Sequence, residues 1–252
     1  MPLKALTLTE RPDLEDEFER LADAGWPRFL RQRDELGHGQ HWPSLYTTFA
    51  DFQFSILEGH RVVAIGHAVP FAWDGTSAGL PDAIVGIFRL ALETRRAGHR
   101  PNVLSALAAI IDPTARGKGL SGEVLKAMIA IARQHGLDAL VAPVRPTLKT
   151  AYPLAPMERY VRWTRTDGAP IDPWLRTHWR LGAEVVRVIP RTLVIPGRVA
   201  DWEDWTEMSF PDSGPYVVPG ALQPVVIDRE RDEGRYEDPN VWMLHSLTGA
   251  RA

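Results

Sequence analysis

Cysteine is absent from all 252 residues of this chain. That excludes a disulfide framework, a thiolate metal site and a cysteine nucleophile. An excess of either charge is also missing: 29 Lys and Arg stand against 32 Asp and Glu, a formal charge of -3. A dedicated nucleic-acid binder would be basic, so nucleic acid is not an expected partner. No apolar run approaches the length of a membrane span, and the opening MPLKALTLTE has no apolar signal core. The expectation is a cytoplasmic protein without a membrane partner. Internal repeats and low-complexity tracts are lacking as well. The loop Gly37-His38-Gly39-Gln40-His41 pairs two histidines, but no carboxylate or third histidine lies at ligand spacing, and no metal is expected.

What is present is ordinary for a globular protein: 44% hydrophobic and 24% charged residues in a chain long enough for a sizeable core. The most informative stretch runs from Asn102 to Leu137. Val103 to Ile111 (VLSALAAII) is nearly continuous apolar sequence of strand length, which suits a strand covered on both faces. Asp112 and Pro113 end it. After Arg116-Gly117-Lys118-Gly119-Leu120-Ser121 come Leu120, Val124, Leu125, Met128, Ile129 and Ala132 at helical spacing, and Gly136 closes the helix.

That junction is chemically an anion site. The first amides of a helix have no intrahelical partner and the macrodipole adds partial positive charge there. Two glycines permit close backbone approach, and Arg116 and Lys118 supply formal charge for phosphate oxygens. The spacing does not give the frame of a Walker A loop. The glycines at 117, 119 and 122 do have the G-x-G-x-x-G spacing of a Rossmann fingerprint, but no acidic ribose partner is evident, and that reading is set aside.

The segment resembles motif A of the GNAT acyl-CoA N-acyltransferase superfamily, in which a buried fourth strand leads through Gln/Arg-x-x-Gly-x-Gly/Ala into a long helix. Arg116, Gly119 and Ser121 fill the three defining positions, Ser121 departing from the Gly or Ala of the pattern. Two further pieces follow in order: the apolar run Ala139 to Val144 (ALVAPV), and Trp174 to Ile195, which is similar to the family's closing unit of a short helix and two final strands, with Leu181-Gly182-Ala183 in the turn. The resemblance covers about residues 45 to 196. It implies an α/β fold, a GNAT-like mixed and centrally splayed β-sheet flanked by helices. It also implies acetyl-CoA or another acyl-CoA as co-substrate, with the pyrophosphate on Arg116, Gly117, Lys118, Gly119, Leu120 and Ser121. The carbonyl would lie against backbone amides near Ala109, Ile110 and Ile111. The fourth and fifth strands of the family splay apart around the pantetheine, and Pro143, which lacks an N–H, suits a strand facing such a gap or one at an edge.

By this reading residues 1–196 are one GNAT-like domain with insertions at about 74–100 and 145–172. Residues 197–252 are a C-terminal β-rich extension packed on it, as a lid or a homodimer contact. Over 145–180, seven Lys or Arg face three acids with Tyr152, Tyr160, Trp163, Trp174 and Trp179 interleaved, which suits an anionic or aromatic small-molecule acceptor.

Attack of an amine on a thioester needs a route for the amine proton, donors for the oxyanion and an acid for the thiolate. Many family members carry a glutamate base on the fourth strand, where this chain has only Ser105. The family's usual acid is a tyrosine four residues before the closing glycine; counting back from Gly182 gives His178. His178 is therefore the leading catalytic candidate, with Tyr152, Tyr160 and Glu158 as alternates. Two other readings share the fold: a catalytically degenerate acyl-CoA binding or sensing module, and a decarboxylase of malonyl thioesters.

Overall fold

The computed structural model describes residues 3–248, which form one nine-stranded sheet with helices on both faces. In chain order the elements are β1 (Leu3–Thr7), α1 (Glu15–Gly25), α2 (Ser44–Thr47), β2 (Phe54–Glu58), β3 (Arg61–Phe71), α3 (Ile84–Arg96), β4 (Val103–Ile111), α4 (Leu120–Gln134), β5 (Ala139–Val144), α5 (Met157–Tyr160), α6 (Pro173–Arg180), β6 (Glu184–Gly197), α7 (Val199–Thr206), β7 (Gly214–Tyr216), β8 (Val225–Asp228) and β9 (Glu233–Ser246). The sheet order is β1-β2-β3-β4-β5-β9-β8-β7, with β6 pairing β9. Every pairing is antiparallel except β4 with β5.

The apolar periods explain the layers. On one face, Leu125 and Met128 of α4 pack over Leu104, Ala106 and Leu140. On the other, Phe88 and Ile87 of α3 cover Val69, Val103 and Val141, while Phe18 and Leu21 of α1 cover Ile65, Ala108 and Ile110. Burying each of these larger side chains contributes about 1.5–3 kcal/mol. Strand β4 is thus covered on both sides, which is why its sequence is continuous rather than alternating.

One irregularity in β4 positions the rest. Its register against β3 shifts between His67 and Ala68, which pair with Ala108 and Ala106, so that Leu107 is the extra residue of a bulge. Leu104 and Ala106 face α4, whereas Ala108 and Ile110 face α1. A bulge bends its strand and re-aims the side chains after it. The bend falls where β4 parts from β5.

Two sequence expectations are corrected here. The closing unit was expected to supply two strands between Trp174 and Ile195, but Glu184–Gly197 forms the single strand β6, with register shifts near Val185/Arg187 and Ile189/Leu193. Its antiparallel partner is β9, reached through α7, β7 and β8. The last strand is therefore not part of an appendage: β9 pairs with β5 from Val241 to Ser246 and with β6 along most of its length. Apolar continuity at 139–144 and 241–244 makes both strands interior, and no local signal says which neighbours which.

Candidate active site

Strands β4 and β5 pair only from Val103 to Ser105 and from Ala139 to Val141. Beyond that point β4 continues along β3 to Ile111, and β5 continues along β9 to Val144. The strands splay, and alternate amides of β4 turn away from β3 into the opening. A cavity of about 510 Å³ occupies it, lined by Ala109, Ile110 and Ile111 on one wall and by Pro143 and Arg145 on the other. Pro143 lies two residues past the last β4–β5 pair while still facing Trp242 of β9, so β5 is not an edge strand. A missing N–H on the open side costs no ladder bond.

The basic glycine turn meets this cavity at Arg116 and Ser121, both of which line it. Gly117 and Gly119 hold left-handed backbone, φ 82° and 76°, and a Cβ at either would have no neighbour within 4 Å. Their requirement is conformational rather than steric. Gly119 is the N-cap of α4 and offers no side-chain acceptor to the helix amides, and Gly122 N–H bonds back to Gly119 O at 3.0 Å. The amides of Leu120 and Ser121 thus begin a 15-residue helix whose dipole favours an anion. Arg116 is exposed and has no ion pair among the described residues, whereas Lys118 lies 4.0 Å from Glu58. Of the two cations, Arg116 is the one in the cavity wall.

His178, on α6, is fully buried and lines a small recess of about 40 Å³ that shares Leu107, Ala108, Ala109, Pro143 and Trp174 with the larger cavity. Its Nδ1 is 3.0 Å from Nε2 of His245 on β9, and its Nε2 has no hydrogen-bond partner among the described residues. Burial first, and His245 second, bring its pKa down to about 3. His67 is equally buried with a pKa also near 3, but its Nδ1 is satisfied by Gln53 Oε1 at 3.0 Å. Of these two core histidines, His178 keeps an unpartnered nitrogen beside the opening.

The three alternates do not reach the cavity. Tyr160 is buried and donates to Asp172 Oδ2 at 2.9 Å, and burial together with that carboxylate raises its pKa well above the ordinary tyrosine value. Tyr152 packs edge-on against Trp163 with ring centres 5.2 Å apart, and Glu158 is exposed on α5 in a different surface depression. Asp172 explains this local structure, since it also caps α6 through the Trp174 and Leu175 amides.

Several lining residues were not singled out from the sequence. Gly25, Trp26 and Pro27 come from the end of α1, and Thr147 and Thr177 flank the α6 side. Arg145 was counted only as part of a basic stretch. Its Nε bonds both Asp238 oxygens at 3.0 and 3.2 Å and its Nη2 donates to Gly220 O at 2.7 Å, leaving Nη1 without a protein partner among the described residues. The signal that could have drawn attention to it is position: Arg145 is the first residue after a strand that ends at a splay. Among the described residues no carboxylate lines the cavity, so its electrostatics are set by Arg116 and Arg145.

The parallel pair opens beside a helix N-terminus with a basic glycine turn at the mouth, in the splayed sheet that the sequence resemblance implied. Comparison with known proteins agrees. The family model described as "Acetyltransferase (GNAT) family" matches residues 26–156. The arginine N-acetyltransferase avaD of Aspergillus versicolor is 33% identical over 275 aligned positions, covering 96% of this chain and 93% of its own. Among solved structures, the loading GNATL domain of CurA from Lyngbya majuscula superposes with a TM-score of 0.60 at 16% identity, covering 98% of each chain. A GphF GNAT-like decarboxylase in complex with isobutyryl-CoA gives 0.59 at 19%, covering 98% of this chain and all of its own, and at such identities both likenesses speak for the fold alone. No helix among the described residues is long and apolar enough to cross a membrane. The chain belongs to the GNAT family of acetyltransferases and is an N-acetyltransferase, transferring an acyl group to an amine.

Proposed function

We propose that the donor is acetyl-CoA and that the acceptor is arginine or a small molecule carrying an arginine side chain. The observation that carries the acceptor class is the likeness to an arginine N-acetyltransferase across 96% of the chain. The cavity is compatible with it: Trp26 and Trp174 offer aromatic faces for a guanidinium where no carboxylate lines the wall, and Nη1 of Arg145 is available to an acceptor oxygen.

In this reading the α4 amides and Arg116 hold the pyrophosphate, and β4 amides near Ala109 to Ile111 donate to the developing oxyanion from a strand already fixed in place by pairing with β3. The neutral amine attacks the thioester carbon. The tetrahedral adduct passes its ammonium proton to Nε2 of His178, the C–S bond breaks, and the same proton goes to the departing thiolate. The negative charge gathering on sulfur beside Nε2 opposes the burial that otherwise keeps this imidazole neutral. Ser105 plays no part, being buried with its hydroxyl on Ala106 O. The wall of β4 therefore offers no side-chain base, and His178 serves both proton transfers.

Calorimetric titration with acetyl-CoA, repeated on Arg116→Glu, tests the donor site. Loss of a charge-assisted contact of about 1.5–3 kcal/mol corresponds to a roughly tenfold or larger weakening. Incubation with acetyl-CoA and arginine should give acetylarginine by mass spectrometry. Carbon dioxide release from malonyl-CoA without any acylated amine would instead assign the decarboxylase chemistry, and donor binding without turnover of any guanidino acceptor would assign a sensing module.

A further inference from the structure

We infer that His245 is a positioning residue that locks His178 in the tautomer with hydrogen on Nδ1, so that the nitrogen facing the splay is a lone pair. The inference rests on the catalytic reading of His178 and adds to it the residue that decides what His178 can do. It begins at a carbonyl. Nδ1 of His245 lies 3.4 Å from Leu181 O, and a carbonyl oxygen can only accept, so this nitrogen carries the hydrogen. A neutral imidazole then has its lone pair on Nε2. That atom is 3.0 Å from Nδ1 of His178, which must therefore donate. The second nitrogen of His178 is left as an acceptor, and it is the one without a protein partner.

The opposite arrangement would put a lone pair of His245 against the lone pairs of Leu181 O. A cationic form of either ring is disfavoured by burial, since His178 and His245 are both buried. The orphan acceptor is informative in itself. A buried polar atom left unsatisfied costs stability, and native structures rarely keep one without a use. Here it opens on a recess continuous in its lining with the donor cavity, where an N–H of the attacking amine would complete it.

This assigns His178 the role of proton acceptor first and donor only afterwards. The acid expected from the sequence, poised with a hydrogen on the cavity side before the donor arrives, is the tautomer that His245 withholds. The two histidines are 67 positions apart, one on α6 and one on the last strand, so the pairing exists only because β9 lies between β5 and β6.

The test is nitrogen-15 NMR of the histidine rings at neutral pH, alongside kinetics of His245→Phe, His245→Gln and His178→Ala. Wild-type His178 should show a protonated Nδ1 and an unprotonated Nε2. His245→Phe preserves the ring's bulk but removes the acceptor, so His178 should become a tautomer mixture and kcat should fall roughly 10²-fold, the lower end for losing an aligned acid–base group. KM for the donor should change little. His245→Gln, whose Oε1 can accept from Nδ1, should restore part of both signatures. A wild-type spectrum with the hydrogen on Nε2 overturns the tautomer lock while leaving the catalytic reading of His178 in place. Unchanged turnover in His178→Ala overturns that reading, and the positioning role with it.

Discussion

Gly119→Ala separates the conformational and the binding role of the turn. At φ 76° an alanine Cβ meets no atom within 4 Å, so the substitution introduces no clash, only a left-handed alanine. That conformation costs roughly 1–2 kcal/mol, part of which is offset by about 0.4–1 kcal/mol from the stiffer unfolded chain. The net loss is about 1 kcal/mol, or a fall of about 2–4 °C in melting temperature for a protein of this size. Gly98, after α3, provides the control: φ is 67°, nothing lies within 4 Å of a Cβ, and it is outside the cavity wall. Gly98→Ala should lose the same stability.

The two variants should differ in donor affinity. At Gly119 the strain is relieved by turning the peptide that precedes the Leu120 amide, and this moves the donors that begin α4. Losing one well-aligned bond to a charged oxygen, about 1.5–3 kcal/mol, raises the acetyl-CoA dissociation constant at least tenfold. Thermal melts and calorimetry on both variants measure the two effects separately. Equal melting shifts with wild-type donor affinity in both would refute the assignment of these amides to the pyrophosphate.

Gly234→Ala should be among the most damaging glycine substitutions, because its Cβ would overlap Trp202 Cδ1; the expected cost is about 1–3 kcal/mol or more, read from denaturant midpoints. Lys149 is buried with its Nζ on the carbonyls of Tyr152 and Leu222, and burial lowers its pKa to about 8 from 10.5. Because the unfolded state binds more protons between those values, the contribution of this lysine to stability is complete above pH 10.5 and is lost as pH falls through 8. Lys149→Met should abolish that pH dependence in urea melts at pH 7 and pH 10, while leaving two carbonyls unpaired. A chain ended at residue 232 lacks β9 and should fail to fold, as judged by circular dichroism and solubility, although residues 26–156 carry the family match.

What was legible in the sequence follows from how local each signal is. The limits of β4 and β5 were read to the residue, because apolar runs bounded by Asp112-Pro113 and by Gly136 have their ends written into them. Helix α4 and the glycine turn before it were legible for the same reason, though the left-handed backbone of Gly117 and Gly119 was not. Tyr152, Tyr160 and Glu158 lie outside the cavity lining because their loop folds around Asp172 and Lys149, a pair of buried polar hubs that no spacing reveals. Counting back from Gly182 named His178, but its neighbour His245 could not be named, since it is supplied by a strand distant in sequence. Arg145 was visible as a charge and invisible as a site, because its orientation depends on Asp238 of β9.

The connection between β6 and β9 is tied to the site by polar contacts rather than merely adjacent to it. Gly220 O takes Nη2 of Arg145, Leu222 O takes Nζ of Lys149, and the Leu222 amide donates to the Tyr236 hydroxyl, which in turn donates to Asp238 Oδ1 at 2.6 Å. Asp238 completes the circuit by holding Arg145. One end of this network is a cavity-lining guanidinium, and the other is the strand that also carries His245. Residues on β9 thus fix both side chains proposed to meet the acceptor and the proton. A strand whose register aligns Val141 with Leu244 and Val144 with Val241 sets where Arg145 and His245 fall relative to the splay. A slip of one residue would turn His245 to the opposite face of the sheet and leave His178 without its tautomer partner.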